Sequence, residues 1–280
     1  MTAARLADGR IVHSKRMPQV SFIIPAYDEE VCLPRTIASI QEAATLAGVD
    51  HEIIVVDDAS TDRTGEVARA HGASVHRVEL RQIAAVRNAG ARVAGGEILV
   101  FVDADTALPA ETLSAALATL ADARIVGGGS GVMFDGDMPR YARILLPVLT
   151  AFMRWNRLAA GCFIFCRRRA FEAVGGFDEA FFASEEIWLS RALGRQGRFV
   201  VLRERVVTSG RKLRQYSGWE ILRLCLRITI RGPGGAKRRE GLDLWYQSRR
   251  EDRLPPAGSE TAGAGHRRDT TVAPVQADAE

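Results

Sequence analysis

Lysine is almost missing from this chain of 280 residues. Lys15, Lys212 and Lys237 are the only lysines among 38 basic residues, and arginine beside abundant alanine makes up the rest. The 34 acidic residues leave a net charge of +4, which excludes a polybasic nucleic-acid arm or an acidic disordered chain as the whole protein. Cysteine is scarce as well, with four residues and no C-x-x-C pair. That removes a disulfide framework and a zinc ribbon, and with them any sign of an oxidising compartment. Cys162 and Cys166 bracket an apolar run and share a face if the run is a strand, which fits two core thiols better than a metal pair. No uncharged apolar stretch reaches about 18 residues, so no membrane span is expected. Residues 1–16 lack the apolar core of a signal peptide, which makes the cytoplasm the expected location. There is no solenoid-type repeat. The run after the first strand is Pro25-Ala-Tyr-Asp-Glu-Glu, so the G-x-G-x-x-G of a Rossmann dinucleotide site is absent, as is a P-loop. A sugar nucleotidyltransferase would need a Gly-rich, Arg-containing loop at that place, and it too is missing.

The residues present describe a soluble globular protein: 47% hydrophobic and 26% charged, long enough for one large domain or two small ones with a core that needs no staples. The charge is split. Residues 195–253 hold 16 Lys or Arg against 6 Asp or Glu, a net of +10, and the remainder nets −6. We divide the chain into a flexible leader (1–18), a catalytic-type domain (19–213), a basic helical segment (214–253) and a disordered Ala/Gly/Pro-rich tail (254–280).

Within the domain, strands and helices alternate. β-branched runs predict strands over 20–24, 52–56, 74–78 and 98–102. Helical periodicity predicts helices over 31–47, 61–71, 83–94 and 109–121. Alternation with continuously apolar strands implies an α/β fold, a mostly parallel, Rossmann-like sheet flanked by helices. A less regular second half follows, with strands over 123–131, 162–166, 198–202 and 206–208 and helices over 140–157, 184–193 and 220–231.

Ligands of parallel α/β sheets bind beyond the carboxyl ends of the strands. Three early strands end in acids there: Asp28-Glu29-Glu30, Asp57-Asp58 and Asp103-Ala104-Asp105. Clustered carboxylates repel unless a cation or donor-rich ligand joins them, and a divalent metal carrying a diphosphate would do so. Asp28, Glu30 and Asp62 read as turn and helix-start acids. Asp103 and Asp105 stand at a strand's mouth, where strand alternation would put both on one face.

Phe22-Ile-Ile-Pro-Ala-Tyr-Asp-Glu-Glu, Ile54-Val-Val-Asp-Asp-Ala-Ser-Thr-Asp, Val86-Arg-Asn-Ala-Gly and Phe101-Val-Asp-Ala-Asp resemble, in order and spacing, family 2 glycosyltransferases of GT-A fold. Gly175-Gly-Phe-Asp-Glu and Glu185-Glu-Ile-Trp-Leu resemble that family's acceptor-side motif, and the resemblance covers roughly residues 18–213. It implies a sheet with an acceptor-side half and inverting transfer of a sugar from a nucleoside diphosphate, UDP being the commonest choice. Carried over, Pro25, Tyr27 and Glu29 line the nucleoside pocket, and Asp57 and Asp58 receive base or ribose. Arg87 sits by base or diphosphate, Asp103 and Ala104 lie against ribose or phosphate, and Asp105, with Asp103 beside it, holds Mg2+ or Mn2+. The acceptor's base is the second residue of an acidic pair, here Glu186 after Glu185, where the family usually has Asp. Arg211 and Lys212 stand where the family has a diphosphate-facing loop. None of the five His residues follows the last core strands, so the metal would rest mainly on Asp105 and the diphosphate. The Q-x-x-R-W motif of processive synthases is missing, which points to single transfers.

The implied partners are a nucleotide-sugar donor and a glycan, lipid-linked or other hydroxyl acceptor, with no nucleic acid. Arg223, Arg227 and Arg231 form a basic stripe, and the helix over 140–157 is rich in large apolar residues. Both are candidates for peripheral contact with the inner face of the cell membrane; the basic-stripe helix has a second reading, in which its apolar face packs on the domain. Two other readings compete: a non-catalytic nucleotide-sugar binding or scaffold protein on the same fold, and a nucleotidyltransferase. Asp105 and Glu186 argue against the first, and the missing loop against the second.

Overall fold

The computed structural model describes residues 3–5, 11–13, 19–136 and 138–211. Lys212, the basic segment 214–253 with its expected helix over 220–231, and the tail 254–280 lie outside the described residues. Two short strands, β1 (Ala3–Arg5) and β2 (Ile11–His13), pair antiparallel within the stretch read as a leader.

The main sheet begins with β3 (Val20–Ala26), buried along its length except at Pro25. α1 (Leu33–Ala47) follows, opened by Pro34 and stopped by Gly48, whose positive φ of 63° is a glycine conformation. α1 starts two residues later than its apolar pattern suggests. The reason lies in the preceding turn, where the N–H groups of Asp28, Glu29 and Glu30 are taken by Ser60, Thr64 and Asp62. Next come β4 (His51–Asp58), α2 (Thr64–Ala70), β5 (Ser74–Val78), α3 (Ile83–Val93) and β6 (Ile98–Val102). After these come β7 (Thr106–Ala107), α4 (Ala110–Leu120), β8 (Ile125–Phe134), α5 (Arg140–Trp155) and β9 (Phe163–Arg167). α6 (Arg168–Ala173), α7 (Glu185–Gln196) and β10 (Arg198–Thr208) complete the described domain.

The eight strands lie in the order β5-β4-β3-β6-β9-β8-β10-β7. β5, β4, β3 and β6 are parallel, as their unbroken apolar runs imply. β9 enters antiparallel to both β6 and β8, β8 and β10 are parallel, and β7 pairs antiparallel with β10. The sheet is therefore mixed, and the antiparallel β9 separates the parallel β5-β4-β3-β6 half from the later strands. The strands expected separately over 198–202 and 206–208 are one strand, β10, with an irregularity between Val201 and Arg205. β7 and α6 were not expected. At two and six residues they are too short for periodicity to reveal.

Strand alternation divides the core into two layers. Phe22, Ile24, Val55 and Val100 pack under α1 and α4, and Ile23, Ile54, Val56 and Phe101 pack under α3 and α6–α7. α3 approaches β3 so closely that a Cβ on Gly90 would stand 2.4 Å from Ile23 Cγ2. Cys166 is a buried thiol, and Cys162 is partly buried at the head of β9.

Candidate active site

The strand ends place the acids as follows. β4 delivers Asp57 and Asp58, 1% and 7% exposed. Asp57 Oδ1 accepts the Ser60 N–H at 2.9 Å, and Oδ2 accepts from Arg77 Nη1 at 2.9 Å. Arg77 is the residue opposite Asp57 in the β4–β5 register, a pairing legible only once the register is known. Asp58 Oδ1 accepts the N–H groups of Leu80 and Arg81 at 2.6 and 3.1 Å, folding that loop back over the strand end. Arg81 then lies 4.5 Å from the centre of the Tyr27 ring, so Tyr27 and Arg81 form one flat, partly exposed wall. Pro25 is partly buried at the end of β3, beside Val56. Asp28, Glu30 and Asp62 serve the turn: Asp28 accepts from Thr61, Glu30 from Arg63, and Asp62 from Glu30 and Thr64.

β6 ends at Val102, and the Asp103 carbonyl accepts the Thr106 N–H at 3.0 Å, closing a turn. Strand alternation therefore does not extend to Asp105, and Asp103 and Asp105 take partners from different elements. Asp105 faces the end of β10. Thr208 Oγ1 donates to its Oδ1 at 3.2 Å, and Arg211 Nη2 stands 3.4 Å from its Oδ2. The same arginine nitrogen also pairs with Glu29 Oε1, so Arg211 joins the first and third acidic strand ends. Ala104, between the two acids, is buried and its carbonyl accepts from Thr36.

Asp103 faces α3 instead. Arg87 Nη2 donates to its Oδ1 at 2.8 Å and to the Gly161 carbonyl at 3.0 Å, while Nη1 donates to Glu185 Oε1 at 2.6 Å. Arg87 is 1% exposed. Its guanidinium thus ties Asp103 to the start of α7 rather than opening toward a ligand. Ser184, in a left-handed conformation (φ 63°), turns the chain into α7 and sets the pair Glu185-Glu186 on its first turn. Glu185 is buried against Arg87, and Glu186 is partly exposed. Gly161 lies between Arg87 and Glu186: a Cβ there would stand 3.5 Å from Arg87 Nη2 and 3.7 Å from the Glu186 carboxyl carbon. Burial, and next the charge of Glu185, push the Glu186 carboxyl up to about 8.

Sequence reasoning missed the struts that bind α3 and Gln82 to the loop over 177–181. Asn88 Nδ2 donates to the Phe177 carbonyl and to Glu179 Oε1, both at 2.9 Å, and its Oδ1 accepts the Phe177 N–H. Gln82 Nε2 donates to the carbonyls of Glu179 and Phe181. Asn88 sits inside the Val86-Arg-Asn-Ala-Gly run, so that run carried the signal. Lys212 lies outside the described residues.

Among the described residues no three His, Cys, Asp or Glu side chains gather into a protein cage for a metal. Asp105 offers a hard oxygen donor at a strand mouth. Mg2+ and similar cations are commonly held by one or two carboxylates plus substrate phosphates, so this donor set fits a cation that arrives with a diphosphate.

Residues 21–175 match a family model described as Glycosyl transferase family 2. A validoxylamine A glucosyltransferase of Streptomyces hygroscopicus subsp. limoneus is 33% identical over 96 residues, 32% of this chain and 21% of that protein. A dolichol-phosphate mannosyltransferase of Pyrococcus furiosus is 29% identical over 135 residues, 45% of this chain and 38% of that protein. The matches thus span well under half of either relative's length. Among solved structures, the mannosyltransferase PcManGT from Pyrobaculum calidifontis, in complex with GDP-Man and Mn2+, superposes with a TM-score of 0.59 at 24% identity, covering 75% of this chain and 62% of that one. Residues 1–349 of S. aureus TarS, in complex with UDP-GlcNAc, give 0.55 at 18% identity, covering 76% and 67%. At these identities the likeness is one of fold.

Proposed function

Because the chain belongs to glycosyl transferase family 2, we propose that it transfers a sugar, with inversion, from a nucleoside-diphosphate sugar to a hydroxyl acceptor, one sugar per encounter. One observation carries this reading: Asp103, at one of the three acidic strand ends, is linked through Arg87 to a second acidic pair whose outer member, Glu186, has a raised pKa.

The nucleoside lies against the Tyr27–Arg81 wall, with Pro25 and Glu29 beside it and Asp57 and Asp58 shaping the pocket for base and ribose. UDP is our choice of nucleotide, in line with the ligand of the TarS fragment, while PcManGT carries GDP-Man. Asp105, with Asp103 and Ala104 next to it, would hold Mg2+ or Mn2+, which when bound would offset the charge that develops on the leaving diphosphate. Arg211 contributes fixed positive charge at the same place, with Lys212 next in sequence. Arg87 positions Asp103 and Glu185. Glu186 takes the proton of the acceptor hydroxyl as that oxygen attacks the anomeric carbon from the face opposite the diphosphate. A carboxylate with a pKa near 8 is a stronger base than an ordinary one, which suits that task.

The acceptor is a glycan, a lipid-linked molecule or another hydroxyl compound. We place the protein in the cytoplasm with peripheral contact at the inner face of the membrane. Among the described residues no helix is long and apolar enough to cross a membrane. A thermal-shift panel of nucleoside diphosphates and their sugars, with and without Mn2+, tests the reading. Stabilisation by one donor series that needs both Mn2+ and Asp105 supports it. A flat panel, or equal stabilisation in Asp105→Ala, would overturn it.

A further inference from the structure

Helix α5 buries Ala142 near its start and leaves an apolar stripe facing outward. Leu145, Val148, Leu149, Phe152 and Trp155 recur at spacings of three and four, each at least 45% exposed, and Trp155 is 89% exposed. Soluble domains rarely expose a contiguous apolar patch of this kind without a partner. No Asp or Glu occurs between Asp137 and Glu172, whereas seven arginines do. At the C-terminal end of α5, Arg157 turns the chain in a left-handed conformation (φ 55°). There it borders a cavity of about 310 Å³ lined by Asn156, Arg157, Ser190, Arg191, Arg195 and Phe199 among others, with no acidic residue in its wall. Among the described residues no carboxylate lies within ion-pair distance of Arg157, Arg191 or Arg195. Arg191 is laid over Trp188 at 5.4 Å, and Trp188 in turn stacks on Phe181 at 4.8 Å, so one wall is built on rings.

We propose that this cavity binds the headgroup phosphate of an anionic phospholipid while the outer stripe of α5 sinks into the bilayer interface. Charge selects the occupant. A second copy docked on this face would bring two arginine clusters together, and the 214–253 segment is itself basic, so neither complements the cavity. An anionic leaflet complements both features at once: apolar side chains enter the interface, and arginines meet phosphate as bidentate donors. The placement also concerns the proposed reaction. Ser190, in the cavity wall, donates to the Glu186 carbonyl at 2.7 Å and accepts the Ala159 N–H at 3.1 Å. The cavity thus lies one helical turn from the proposed base, and docking would present the acceptor side of the cleft to the membrane. Only that consequence rests on the glycosyltransferase reading; the docking does not.

The test is flotation of the full chain with vesicles of pure phosphatidylcholine and of an equal mixture with phosphatidylglycerol, at low and high salt. Wild type should float with the mixed vesicles and not with phosphatidylcholine alone. Arg157→Gln/Arg191→Gln/Arg195→Gln should weaken binding on the order of 100-fold, and Phe152→Glu/Trp155→Glu should weaken it comparably. Both variants carry changes at exposed positions, and unchanged melting temperatures would show that they fold. Arg223→Gln/Arg227→Gln/Arg231→Gln is the control. If it alone loses binding, or if pure phosphatidylcholine binds equally, the proposed site is wrong. A lipid-free dimer abolished by Trp155→Glu would also overturn it, as would stabilisation by inorganic phosphate through these arginines without vesicle binding. Donor-induced thermal shifts in the same variants report on the glycosyltransferase reading separately, so the two can fail independently.

Discussion

The two halves of the sheet hold their carboxylates in different ways. On the half proposed to bind the donor, Asp57 and Asp58 accept from loop N–H groups and Arg77, and Asp105 faces Thr208 and Arg211. Those acids are fixed by donors. On the half proposed to meet the acceptor, Glu185 takes the arginine, and Glu186 beside it is pushed up to about 8 by burial and its neighbour's charge. One half holds its acids with donors, and the other holds one carboxyl whose pKa is raised. Arg87 joins the two, with Asp103 on one nitrogen and Glu185 on the other.

The largest expected effect comes from cutting that joint. Arg87→Met leaves Glu185 buried without its cation, and removing one partner of a buried pair typically costs about 3–5 kcal/mol. Denaturant melts should show a loss of that size, with the donor-induced shift and the Glu186 titration disturbed together. Independent halves would lose only one. Asp105→Ala should lower metal-dependent turnover of the donor on the order of 10²–10³-fold while leaving the melting temperature of the free protein nearly unchanged. Turnover assays with Mn2+ titrated from zero would show this.

Gly90→Ala disturbs the donor half alone. The added methyl meets Ile23 and Val56, at 2.4 and 2.8 Å from their Cγ2 atoms, so about 1–3 kcal/mol of stability should be lost. The pH dependence of turnover should not move, because Glu186 is untouched. The smallest effect is a slope. Burial, and next the charge of Glu185, push the folded-state Glu186 carboxyl up from its ordinary value of 4.5 to about 8, so the folded state binds more protons across that window. Its contribution makes stability fall as pH rises through that window, by less than about 1.4 kcal/mol per pH unit. Glu186→Gln should flatten melting temperature against pH between 5 and 8.

The same contrast explains what could be read in the sequence. The donor half was legible because parallel strands buried on both faces are continuous apolar runs, and their ends are marked by acids. β3, β4, β5 and β6 fall where those runs predict. The acceptor half was less legible because its structure depends on long-range pairing. β9 runs antiparallel between β6 and β8, and β10 continues through an irregularity that looks like a break. The site divides similarly. Asp57, Asp103 and Asp105 could be named from local pattern, and the Glu185-Glu186 pair from the family resemblance. Arg77 opposite Asp57, Thr208 beneath Asp105 and Asn88 clamping Phe177 depend on register and on contacts across about 20 to 100 residues. The strand-alternation argument for Asp103 and Asp105 failed because the chain turns directly after Val102.

The division of labour itself is tested most directly by Glu186→Gln, measured for donor binding and for turnover in the same preparation. The account predicts an unchanged donor-induced thermal shift with Mn2+, turnover reduced on the order of 10³-fold, and loss of the wild-type rise in rate as pH increases through about 8. Turnover equal to wild type with the same pH profile would contradict it.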